Sequence, residues 1–102
     1  MAQKTQFPVL LHCSDSRFIK ECEIFVDMLN DCCNAAALAN HNKIVDYYAA
    51  NRWALECLVF EMKYKKRITK AKRKLINSWV KQVMKLSIGY LAELETEHGI
   101  VV

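Results

Sequence analysis

Between residues 43 and 88 there is neither a glycine nor a proline, and the whole chain of 102 residues holds only two glycines and one proline. Tight turns draw on these two residues for positive φ and preset φ, so a many-stranded sheet or a glycine-rich phosphate loop has little to be built from. Long helices remain. With 53% hydrophobic and 25% charged residues, the chain has the means for one core and therefore one domain, 1–102. The fold class that follows is all-α: an antiparallel bundle of three long helices with a short N-terminal arm, completed by oligomerisation.

The arm, residues 1–14, opens polar and then carries a short apolar run after Pro8, which is expected to pack across the bundle. Ser14, Asp15 and Ser16 follow as candidate N-caps. With Ser14 as the cap, Cys13 and Phe18 take the two positions of a hydrophobic staple. Phe18, Cys22, Phe25, Leu29, Cys32 and Ala36 then recur at steps of three and four, which predicts an amphipathic helix over about 15–39. Asn40, His41 and Asn42 break the pattern with residues suited to turns and caps.

A second helix is expected over about 43–66, with Asp46 in a first turn where the helix dipole favours an acid. Its apolar residues form two stripes. Ile44, Tyr48, Leu55, Leu58 and Met62 make one; Trp53, Cys57, Phe60 and Tyr64 make another, roughly opposite at about 100° per residue. A helix apolar on two sides is either sandwiched between its neighbours or offers its second face, here Trp53, Cys57 and Phe60, to an oligomer or protein partner. The third helix, about 70–97, has a main stripe of Ile68, Leu75, Trp79, Val83, Leu86, Tyr90 and Leu94, widened by Ile76, Val80, Met84 and Leu91. Gly89 is a tolerated interior glycine or a close-packing point, and Gly99 is a stop. Thr69 is the one good cap at the junction, so a hairpin near 67–69 is expected there. The alternative is a single helix over 43–97, about 80 Å long, which only an extended oligomer could stabilise.

The stretch KYKKRITKAKRK, residues 63–74, holds eight of the 15 basic residues and no acid: Lys63, Lys65, Lys66, Arg67, Lys70, Lys72, Arg73 and Lys74. The rest of the chain has seven cations against 11 carboxylates. Cations at the end of the second helix complement its dipole and solvate a hairpin tip. Those at the start of the third helix do the reverse: they crowd the positive end of a dipole, beside free N–H groups. A phosphate would relieve both conditions, so the tip is expected to bind a nucleic acid, RNA or DNA, or a nucleoprotein complex, through its backbone. Tyr64 could stack on a base, although core packing is the expected role for Tyr64, Trp53 and Trp79 alike.

Other chemistry finds little support. Five cysteines (Cys13, Cys22, Cys32, Cys33, Cys57) are spaced irregularly among apolar residues, and with His12, His41 and His98 they match no zinc framework. Reduced, buried thiols are expected, with no metal and no cofactor. Glu56 with Glu61, and Asp27 with Asp31, read as solvated surface acids, so no enzyme activity is expected. There is no apolar run long enough to span a membrane and no signal peptide pattern, hence the expectation of an intracellular, reducing setting. The segment LSIGYLAELET, residues 86–96, resembles the third-helix segment of four-helix-bundle proteins encoded in ribosomal RNA intervening sequences and of related retroelement accessory proteins. The resemblance is confined to that segment, their helix ending in Asn-Ile-Ala-Glu-Gly is absent, and no family assignment is made from it. It implies that basic bundles of this size bind nucleic acid while oligomerising. Two readings of another class stand beside this one: a protein-binding inhibitor or adaptor docking through an apolar helix face, and an oligomeric sponge for a phosphate-bearing small molecule.

Overall fold

A computed structural model describes residues 13–65 and 67–100. They form three helices and no strand: α1 (Asp15–Leu38), α2 (Asn42–Lys65) and α3 (Lys70–His98). The arm, apart from Cys13 and Ser14, and the expectation that it packs across the helices, lie outside the described residues. No described helix is long and apolar enough to cross a membrane.

The ends of the helices are set by local chemistry. Ser14 Oγ accepts the Arg17 N–H at 3.2 Å, and Thr69 Oγ1 accepts the Lys72 N–H at 3.1 Å, so α1 and α3 each start with a side-chain cap. At the end of α1, Asn40 takes a left-handed φ of 62°, and the N–H groups of Asn40 and His41 donate back to Ala37 O and Ala36 O at 3.0 and 2.9 Å. This is a Schellman closure, with asparagine where glycine is commoner. Gly99, at φ 66°, ends α3 in the same left-handed region. Because α2 starts at Asn42 and has no acid in its first turn, Asp46 falls in the second turn, and the dipole contact expected of it is not made. The chain turns between Lys65 and Lys70, which excludes the continuous helix.

The α1 and α2 backbones approach each other most closely, and α3 joins them through longer side chains. Phe18, Cys22, Phe25, Leu29 and Cys32 of α1 pack in one cluster with Tyr48, Leu55, Val59 and Met62 of α2 and Ile76, Val80, Val83 and Met84 of α3. Polar side chains tie α2 and its lead-in to α3: His41 Nδ1 to Tyr90 OH at 2.7 Å, Tyr48 OH to Ser87 Oγ at 2.9 Å, and Trp79 Nε1 to Asn51 Oδ1 at 2.7 Å. Partners that rise from 41 to 51 on one side fall from 90 to 79 on the other.

Two stripes differ from their expected course. On α3 the buried face is Ile76, Asn77, Val80, Val83, Met84, Ser87 and Leu94, whereas Leu75 and Leu86, expected inside, are exposed. The face is rotated because Ser87 gains two partners inside, donating to Val83 O at 2.7 Å while accepting from Tyr48. A hydroxyl with both bonds made is not penalised by burial. On α2 the second stripe is not covered: Trp53 is 69% exposed, Phe60 74% and Tyr64 82%. The sandwich of α2 between α1 and α3, and the core packing expected of Trp53 and Tyr64, are both overturned. Both neighbours pack on the side of Tyr48, Leu55 and Met62, and among the described residues nothing covers the far side. Only Trp79, half-buried against the core, keeps its expected place.

Candidate functional site

The basic tip forms where α2 ends and α3 begins, and the fold divides its cations into two groups. Lys63, Lys65, Lys72 and Arg73 have carboxylate partners. Lys63 meets Glu23 of α1; Lys65 and Lys72 both reach Glu61, at 3.0 and 2.8 Å; and Arg73 meets Asp15. Arg73 goes further, donating to the Cys13 carbonyl at 3.0 Å and placing its guanidinium carbon 4.6 Å from the centre of the Phe18 ring. With its side chain only 11% exposed, it clasps the start of α3 to the start of α1. Glu61 is held below the usual carboxylate range, first by its hydrogen bond from Lys72 and then by that from Lys65.

The tip is therefore less bare than a count of residues 63–74 suggests. Lys72 and Arg73 do crowd the positive end of the α3 dipole, but Glu61 and Asp15 supply the negative charge that a phosphate was expected to bring. Thr69 has also taken one of the free N–H groups. Arg67, Lys70 and Lys74 are exposed, with no ion-pair partner among the described residues, and Tyr64, in the last turn of α2, is exposed as well. Lys66 lies outside the described residues. The three acids Glu23, Asp15 and Glu61 are what the sequence reading missed. Glu61 is two residues before the basic run, at helical i,i+4 distance from Lys65, and was within reach of sequence reasoning. Glu23 and Asp15 are 40 and more residues away, and no local signal links them to their partners.

A concave feature borders the tip at Lys63. A groove of about 780 Å³ runs between α1 and α2, with Trp53, Cys57, Phe60 and Val26 as its apolar lining and Glu23, Asp27 and Glu56 among its charged residues. It contains all three residues expected to make a partner face, Trp53, Cys57 and Phe60, and α3 contributes nothing to it. Cys57 is exposed, against the expectation of a buried thiol, whereas Cys22 and Cys32 are buried. Burial pushes the Cys22 thiol up to about 12, so it is inert as a nucleophile at neutral pH.

Other candidate chemistry is dispersed. Glu56 pairs with Arg52 at 3.0 Å, and Glu61 is occupied as above, so the two carboxylates do not work together. His41 stacks edge-on to His98, with ring centres 5.1 Å apart, and is bonded to Tyr90. Among the described residues no three histidines, cysteines or carboxylates come together to hold a metal ion. Compared with known proteins, the chain matches no family model, no curated protein and no solved structure.

Proposed function

We propose that this chain is a small, non-enzymatic accessory or regulatory protein of the cell interior. It binds a nucleic acid, RNA or DNA, or a nucleoprotein complex through the tip between α2 and α3, and it works as an antiparallel three-helix bundle that self-associates. The observation that carries this reading is the trio Arg67, Lys70 and Lys74, exposed and without carboxylate partners among the described residues where α2 gives way to α3. Cations left in water favour a ligand whose charge is spread along a backbone, and contacts of this kind carry little sequence preference.

The test is a fluorescence-anisotropy titration of single-stranded RNA, single-stranded DNA and duplex DNA over a salt series. Three neutralised phosphates per chain correspond to a slope of log K against log salt of about −3 on a duplex. Lys70→Gln with Lys74→Gln should lower that slope by about 2 and leave helicity unchanged. No binding at low salt, or an affinity indifferent to the two substitutions, overturns the assignment.

A second reading, a protein-binding inhibitor or adaptor, is favoured by one specific observation: the uncovered groove with Trp53 and Phe60. It requires that face to be free in solution.

A further inference from the structure

The outer face of α2 carries an apolar stripe as regular as the one on its inner face. Ala50, Trp53, Cys57, Phe60 and Tyr64 follow one another at steps of three, four, three and four, the 3.5-residue period of a coiled-coil seam. Asp46 continues the steps at the N-terminal end of the helix, as an exposed charge without an ion-pair partner among the described residues. On the inner face the same spacing, Ile44, Tyr48, Leu55, Leu58 and Met62, packs against the chain's other helices, so a like stripe on the outer face suits a further helix.

We infer that this face is a homodimer interface, in which the α2 helices of two copies pair antiparallel about a two-fold axis at Cys57. The inference rests on the self-association proposed above, and names its surface and geometry. Three observations identify the occupant as a second copy. First, the seam is complementary to itself when reversed. Tyr64 of one copy lies over Ala50 of the other and Trp53 against Phe60, so the ring at one end of the seam meets the small side chain at the other. The parallel alternative sets Asp46 on Asp46 and Tyr64 on Tyr64. Second, the area suffices. At the exposures given above, the three aromatics contribute roughly 450 Å² per copy, about 900 Å² for the pair before Cys57, Ala50 and Val26 are added, against the roughly 1,000 Å² of a specific interface. Third, α3 is absent from the lining of the groove, and no described residue fills it.

The experiment uses the full chain under reducing conditions without nucleic acid, so that failure here is separate from failure at the tip. Sedimentation equilibrium should give twice the chain mass of 11.8 kDa. Phe60→Glu, at a position already exposed, should give the monomer with unchanged far-UV circular dichroism. A short bismaleimide should join two copies through Cys57, and Cys57→Ser should abolish the product. In the Cys57→Ser background, chains with Ala50→Cys and chains with Tyr64→Cys should cross-link when mixed and not when alone, which reads the antiparallel register directly. A monomer at every concentration, or a dimer indifferent to Phe60→Glu, overturns the interface, and the face then belongs to a different protein or to residues 1–12. Cross-linking of the Ala50→Cys chain with itself overturns the antiparallel register.

Discussion

Arg73 and Asn77 sit one turn apart on α3 and show opposite ways of placing a polar group inside. Arg73 has a carboxylate, a carbonyl and an aromatic face around its guanidinium, and its methylene stem covers apolar surface. Asn77 is 5% exposed, and its Oδ1 has no hydrogen-bond partner among the described residues. An unsatisfied buried carbonyl costs about 1–3 kcal/mol. Asn77→Leu, close in size, should therefore raise stability by about 1 kcal/mol, seen as a higher urea midpoint at unchanged m-value; a lower midpoint would mean that the amide has a partner beyond the described residues. Neither residue's surroundings could be read from its neighbours in the chain. Arg73 looks like one more cation of a basic run, and Asn77 looks like a surface residue on the polar side of the stripe through Leu75 and Trp79.

Among the elements, α3 shows best how the backbone and the packing contribute separately. Gly89 lies in the helix interior, and a Cβ built on it meets nothing within 4 Å, so of the two roles expected for it the close-packing point is excluded. Gly89→Ala should stabilise by about 0.5–1 kcal/mol through helix propensity and reduced freedom of the unfolded chain. Thr69→Ala should cost about 1 kcal/mol by freeing the Lys72 N–H. Thermal unfolding of the two variants against the parent chain checks both, and a destabilised Gly89→Ala would show that the position meets a partner absent from the isolated chain. How much of each helix was legible also differs. α1 buries Phe18, Cys22, Phe25, Leu29, Cys32 and Ala36 as their spacing predicts, because it has a single apolar face and only one way to turn it inward. α2 has two apolar faces, and spacing cannot rank them. The choice went to the face with Tyr48, Leu55 and Met62, and the stripe with the larger aromatics was left in water.

For the whole molecule, the buried cluster makes stability depend on pH at the alkaline end. Burial, more than any neighbouring charge, raises the Cys22 thiol and the Tyr48 hydroxyl to about 12, from ordinary values of 9.0 and 10.0. The folded state keeps both protons while the unfolded chain releases them. Their contribution is therefore complete below the ordinary values and is lost as pH climbs through the folded ones. The urea midpoint should hold from neutral pH to about pH 9 and then fall toward about pH 12, and Tyr48→Phe should lower the midpoint at neutral pH yet flatten the alkaline slope. An equal slope in the variant would take Tyr48 out of the account. The scarcity of glycine and proline, the helical spacing of apolar residues and the caps at Ser14 and Thr69 are local properties, and from them the three helices and their ends follow in the chain's own order. Three further facts depend on residues far apart in the chain. Glu23 and Asp15 come from α1 to neutralise Lys63 and Arg73 of the tip. Ser87 goes inside because Tyr48 waits there, and Trp53 and Phe60 stay outside because α1 and α3 both lie across the opposite face. Periodicity places a residue on a face of its own helix, but the direction that face points, and the charge that meets it, depend on how the helices pack.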